Sequence, residues 1–279
     1  MEEERNIRPA APDGWPRPKK SLGQNFLQDK NIARKIVEQL RIAPTDRVLE
    51  IGPGPGMLTG FLLEADPACL CLVEKDHHWA AERQSVFLTG AGAESGRVRQ
   101  VILADALTMP WEKFHAPWKI MGNLPYNVAS PLIWDILSKA PGLTRAVFMV
   151  QKEVGQRLAA APGTSAYGAL SVWVQSFAVP RLEFGVPPQV FRPAPKVHSA
   201  VVSFTPLPIP EQPADPEALS NLLKLCFQKR RKQLGGILRA QPNWQPGEAE
   251  KFGVEQSARP EELTPRQFQD LAVFLKTLK

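Results

Sequence analysis

The order of apolar patterns along this chain predicts an α/β fold, with a mostly parallel sheet followed by a small all-helical C-terminal part. Three observations carry the prediction. Short apolar runs alternate with helix-spaced segments from about residue 47 to 160. A Gly-rich turn falls between the first of these runs and the helical pattern behind it. After the Pro-rich stretch Thr205-Pro206-Leu207-Pro208-Ile209-Pro210, only helical patterns remain. Alternation of this kind means a sheet covered on both faces, because each crossover between parallel strands lays a helix against it.

The elements follow in order. Residues 1–18 are charged and Pro-rich (Pro9, Pro12, Pro16, Pro18) and read as a flexible arm, with the ordered chain starting near Lys19. Ile32, Ile36, Val37 and Leu40 have helical spacing, and Pro44 ends that segment. Strand and helix signals then alternate: Arg47 to Ile51 and Met57 to Leu63; Cys69 to Val73 and His77 to Phe87; Val101 to Leu103; Lys119 to Met121 and Pro131 to Leu137; Ala146 to Val150 and Glu153 to Ala160. Leu170 to Ala178 and Val197 to Phe204 show no obvious helix between them, so they are expected to form an antiparallel hairpin at the sheet's edge. Proline fixes φ and removes donors, which makes Thr205 to Pro210 an extended linker. The expected division is an arm (1–18), a large domain (19–206) and a helical domain (207–279) with apolar positions such as Leu219, Leu222, Leu223, Phe268 and Leu271.

With 279 residues, the chain has room for one large domain and a smaller one. No window approaches the roughly 20 apolar residues of a bilayer span. The start, Glu2-Glu3-Glu4, lacks the basic and apolar regions of a signal peptide, so cytoplasmic residence is expected. Cys69, Cys71 and Cys226 do not assemble into a zinc ligand set and read as core thiols; no metal is expected. A monomer is expected. The net charge of +6 points to an acidic partner, and its distribution is more informative. From Lys224 to Arg239 there are six Lys or Arg and no acid, and Lys229, Arg230, Arg231 and Lys232 form an uninterrupted run suited to RNA phosphates.

Two motifs carry chemistry. Glu50-Ile51-Gly52-Pro53-Gly54-Pro55-Gly56 places a Gly-rich turn after a strand, where a ligand can approach the backbone. The dinucleotide fingerprint fits poorly, since its sixth position is Met57. Glu50 would repel a pyrophosphate and suits a cationic ligand such as the sulfonium and amine of S-adenosylmethionine. Glu74 and Asp105 end the next two strand signals, where they could accept ribose hydroxyls and an adenine amine. Downstream, Asn123-Leu124-Pro125-Tyr126 offers a side-chain oxygen, the Leu124 carbonyl and an aromatic face to a flat amino-bearing ring. Together the two motifs suggest adenine N6 methylation. Phe191-Arg192-Pro193-Ala194-Pro195-Lys196-Val197-His198-Ser199 is a Pro-braced loop whose Phe191 could cover the other face of the base. His198 reads as solvent-exposed.

These segments, with Leu22-Gly23-Gln24-Asn25-Phe26-Leu27 and the basic run after Phe227, resemble the small-subunit ribosomal RNA adenine N6,N6-dimethyltransferases of the KsgA type. The resemblance extends from about Lys19 to the C-terminus. It implies a Rossmann-like class I methyltransferase sheet with a small helical domain, S-adenosylmethionine as cofactor, and dimethylation of two adjacent adenosines in a hairpin loop near the 3′ end of 16S rRNA in the 30S particle. It further implies that Asn25 and Leu27 serve the cofactor's methionine end, Gly52 the turn, Glu74 the ribose, Asp105 the adenine, and Asn123 the junction of donor and acceptor; Gly54, in the same turn, is expected to bind the cofactor too. The chain departs from the usual pattern at His198, where an acid is common, and in its long Gly-rich spacer from about Thr89 to Arg99. Two rivals stand beside this reading: the erythromycin-resistance type acting on large-subunit rRNA, and a ribosome-assembly factor with incidental methylation.

Overall fold

The computed structural model describes residues 24–89, 96–228 and 232–278. The proposed arm, and Lys229, Arg230 and Arg231 of the basic run, lie outside the described residues.

A sheet of seven strands forms the centre, in the order β4-β3-β2-β5-β6-β9-β7. These are β2 (Arg47–Ile51), β3 (Cys69–Glu74), β4 (Val98–Leu103), β5 (Trp118–Asn123), β6 (Leu143–Gln151), β7 (Ala178–Val186) and β9 (Ser199–Pro206). Pairing is parallel from β4 through β6, and β9 runs antiparallel between β6 and β7. The chain leaves β2 for β3 on one side and returns to β5 on the other. That reversal opens a crevice at the carboxyl ends of the strands.

Helices α1 (Lys30–Glu38), α2 (Met57–Glu64) and α3 (His77–Thr89) occupy the first half, and α4 (Ala129–Lys139), α5 (Lys152–Leu158) and α6 (Ala169–Phe177) the second. Helix α1 begins where the Asp29 carboxylate accepts the Asn31 and Ile32 N–H groups at 2.8 and 2.9 Å. Period-two alternation sorts the strands: Val48, Leu70, Leu72, Met121 and Val147 pack with α1 and α2, whereas Leu49, Ile51, Cys71, Ile120 and Phe148 pack with α4 and α6.

The run Leu170 to Ala178, expected as a strand, is helix α6. Its apolar residues fit either period, and burial of Val172, Trp173, Val174 and Phe177 leaves no polar face to betray the helix. The Gly168 N–H donates to the Ser171 hydroxyl at its start. The edge hairpin exists, but its first strand is β7, starting at Ala178. A short sheet not expected from sequence pairs β1 (Phe26–Leu27) with β8 (Phe191–Arg192), joining the N-terminal motif to the Pro-braced loop.

Beyond β9, the described residues hold helices α7 (Pro216–Phe227), α8 (Leu234–Leu238) and α9 (Pro265–Thr277), several short 3₁₀ turns, and no strand. Leu219, Leu223, Phe268 and Leu271 share one continuous apolar core with Trp173, Phe177 and Phe148 of the sheet region. Among the described residues, no helix is long and apolar enough to cross a membrane.

Candidate functional site

The crevice at the strand ends is an open cavity whose lining includes Asn25, Phe26, Gly52, Gly54, Glu74, Asp105, Asn123, Leu124, Tyr126 and Phe191. Segments far apart in sequence thus share one space.

At one end lies the Gly-rich turn. Gly56 has φ +89°, a left-handed conformation that favours glycine, and the Arg83 guanidinium lies where a Cβ would stand. The Phe26 ring stands over Gly54 and meets Trp79 edge to face, with centroids 5.5 Å apart. Glu74, at the end of β3, accepts the Gly54 N–H at 3.1 Å and the Asp76 N–H at 2.8 Å, which fixes its carboxylate against the turn. Burial pushes its pKa up. Asp105 follows β4, accepts the Leu107 N–H at 3.0 Å and pairs with Lys75 at 2.7 Å; that hydrogen bond holds its carboxyl below the usual range.

Two expected cofactor residues sit elsewhere. Glu50 is 1 % exposed and does not line the cavity; it points to the opposite face of β2 from Ile51, where Thr59 donates to it at 2.7 Å. Burial raises its pKa to about 7, so a full negative charge is not what it presents to a ligand near neutral pH. The bond from Thr59 ties β2 to α2, the two elements the turn connects. Leu27 is buried in the apolar core opposite Phe191, also off the cavity wall. Strand alternation explains this: Phe26, its neighbour, takes the cavity side.

At the other end, Asn123 is the last residue of β5. Its Nδ2 donates to the Asn25 carbonyl at 3.0 Å, which turns the side-chain oxygen away from that partner and leaves it as an acceptor. Gly122 precedes it because a Cβ there would lie 2.6 Å from the Ile51 carbonyl: β2 and β5 must approach closely for the two ends to meet. The Leu124 N–H is taken by Met149 on β6 at 3.1 Å, and its side chain is buried. Tyr126 is half-buried, with its hydroxyl 3.1 Å from that of Ser199, the first residue of β9. Phe191 forms another part of the wall.

Phe26, Lys75 and Ser199 were not singled out as site residues by sequence reasoning. Lys75 and Phe26 each adjoin a residue that was; Ser199 carries no local signal, because its role depends on a partner 73 positions away. Of the basic run, Lys232 is exposed. All three cysteines are buried, and no cluster of metal-ligating side chains occurs among the described residues.

The chemistry of the lining suits a neutral or cationic donor. Two carboxylates face the turn's end, and Lys75, the cation beside them, is already paired. A pyrophosphate would meet like charge there. Strand order, glycine turn, strand-end acids and an Asn-Leu-Pro-Tyr acceptor together define a Rossmann-like class I methyltransferase.

Comparison with known proteins narrows the class. The family model described as ribosomal RNA adenine dimethylase matches residues 16–277, and the chain belongs to that family. It is 57% identical over 267 residues to the ribosomal RNA small subunit methyltransferase A of Oleidesulfovibrio alaskensis, covering 94% of this chain and 92% of the relative. Among solved structures, a dimethyladenosine transferase from Plasmodium falciparum superposes with TM-score 0.75 at 25% identity, covering 90% of this chain and 98% of that one. The 23S rRNA methyltransferase ErmE gives 0.68 at 25% identity, over 90% and 100% of the two chains.

Proposed function

We propose that the chain transfers methyl groups from S-adenosylmethionine to N6 of two adjacent adenosines in a hairpin loop near the 3′ end of 16S rRNA, within the 30S particle, giving N6,N6-dimethyladenosine. The observation that carries this reading is the Asn123 amide, clamped by the Asn25 carbonyl so that its oxygen is left to accept in the same cavity as the glycine turn, Glu74 and Asp105.

S-adenosylmethionine supplies an activated methyl on a sulfonium, so the protein needs no covalent nucleophile. Glu74 would hold the ribose hydroxyls and Asp105 the adenine amine of the cofactor, with Gly52, Gly54 and Asn25 lining the rest of its site. At the acceptor end, the Asn123 oxygen and the Leu124 carbonyl each accept an N–H of the target amine in the first transfer. They thereby stabilise the partial positive charge that develops as the lone pair attacks. The monomethylated amine has one N–H left to donate in the second. Each transfer forms the N–C bond as the S–C bond breaks, leaving the thioether and releasing one proton to solvent. Tyr126 and Phe191 hold the base between aromatic faces, which contributes roughly 1–3 kcal/mol per stacked base. Lys229, Arg230, Arg231 and Lys232 contact rRNA phosphates from the helical part, and the enzyme acts as a cytoplasmic monomer.

Similarity at 57% to a protein named for the small subunit favours this substrate over large-subunit rRNA. The test is methyl incorporation from labelled S-adenosylmethionine into unmodified 30S particles and, in parallel, protein-free 23S rRNA. Dimethyladenosine in the 30S sample alone supports the reading. Product confined to 23S rRNA moves the chain to the resistance type, and cofactor binding without product in either leaves an assembly role.

A further inference from the structure

The chain from Arg192 to His198 is tied at both ends to the acceptor side of the cavity. Phe191 lines the wall before it, and Ser199, which meets the Tyr126 hydroxyl at 3.1 Å, follows it. Between these anchors Pro193, Ala194, Lys196, Val197 and His198 are exposed, so the segment runs over the surface next to the acceptor wall. Lys152, also exposed, is brought alongside by a 2.9 Å hydrogen bond from its backbone N–H to the His198 carbonyl.

The segment itself carries charge of one sign. No Asp or Glu occurs from Phe184 to Pro210, and Glu153, next to Lys152, is engaged by Arg157. Among the described residues, Lys152 and Lys196 have no ion-pair partner, unlike Lys75, held by Asp105, and Lys119, held by Asp46. Two exposed cations thus stand on segments joined to the acceptor wall, one between Phe191 and Ser199 and one bonded through its backbone to His198.

We infer that Lys152 and Lys196 form a binding site for the RNA phosphates next to the target adenosine. This rests on the proposed reading of the cavity as an adenine pocket. A base stacked between Tyr126 and Phe191 leaves its sugar and flanking phosphates outside, and on the acceptor side the loop from 192 to 198 is what they meet. The site differs from the basic run at 229–232, which follows β9 in the sequence. Phosphate contacts set the register of the strand, and the Asn123 and Leu124 acceptors then select the base.

Salt dependence reads the number of phosphates contacted. Binding of unmodified 30S particles is measured from about 50 to 300 mM KCl for the parent protein, Lys152→Gln/Lys196→Gln and Lys152→Arg/Lys196→Arg. Each neutralised phosphate adds about 0.7–0.9 to the slope of log affinity against log salt, so the Gln pair is expected to flatten it by about 1.5 and the Arg pair to preserve it. Affinity for S-adenosylmethionine should stay within about twofold of the parent, while kcat/KM for particles falls. An unchanged slope overturns the inference, as does equal flattening by Lys113→Gln/Lys251→Gln, which changes the same charge elsewhere. Failure of the parent protein to methylate adenine at all would instead sink the adenine-pocket reading.

Discussion

The donor end and the acceptor end of the cavity are assembled by different means. The donor end comes from consecutive βα units: the glycine turn follows β2, Glu74 ends β3, and Asp105 follows β4. Parallel pairing alone brings these strand ends side by side. The acceptor end is tied across the chain, with Asn123 held by a residue 98 positions earlier, Tyr126 by one 73 positions later, and Leu27 paired to Phe191. A site can therefore have one half specified by topology and the other by individual long-range hydrogen bonds. The two halves should fail differently.

The largest effect is expected at the acceptor. Asn123→Ala removes an acceptor aimed at charge that develops in the transition state, so single-turnover methyl transfer should fall by about 10²–10³. Cofactor affinity, measured by calorimetry, should change by less than about tenfold; equal loss of both would erase the distinction between the ends. Glu74→Ala is the converse. Loss of its charge-assisted hydrogen bonds should weaken cofactor binding by about 10–100-fold while kcat at saturating cofactor stays within a few-fold.

A smaller effect tests the long-range tie itself. Tyr126→Phe keeps the ring and loses the hydroxyl; Ser199→Ala removes its partner. Each is expected to lower kcat by up to about tenfold, the worth of one hydrogen bond, and the double variant should cost no more than either single change. Additive losses would show that Ser199 acts otherwise than through Tyr126.

Glu50 gives the smallest effect on activity and a distinct signature in stability. Its folded pKa of about 7 lies above the ordinary 4.5, so the folded state holds the proton more tightly than the unfolded chain. Its contribution is complete below about pH 4.5 and is lost as pH rises through about 7, an effect on the order of 3 kcal/mol. Glu74, raised by burial, has the same sign. Thermal melts should therefore show the parent losing stability relative to Glu50→Gln between pH 5 and 8. Parallel pH profiles would mean that Glu50 is charged in the folded protein.

What was legible in the sequence follows the same division. The βα units, the turn, Glu74, Asp105 and the Asn-Leu-Pro-Tyr motif were readable because each rests on a local pattern. Glu50 was misread because sequence shows that an acid ends a strand but not to which face it points; one residue of alternation moved it from the cavity to Thr59. Helix α6 was misread for a related reason, since its burial against both the sheet and the C-terminal helices removed the polar stripe that marks a helix. The β1–β8 pairing and the Tyr126–Ser199 bond had no local trace.

The span of those ties has a temporal consequence. During N-to-C synthesis the donor turn and its acids emerge early, but the pairing of Phe26 and Leu27 waits for Phe191 and Arg192, and the Tyr126 hydroxyl waits for Ser199. The acceptor wall is thus completed only after about seven-tenths of the chain has been made. A nascent copy therefore has no complete acceptor wall until that point, however early its donor turn has emerged.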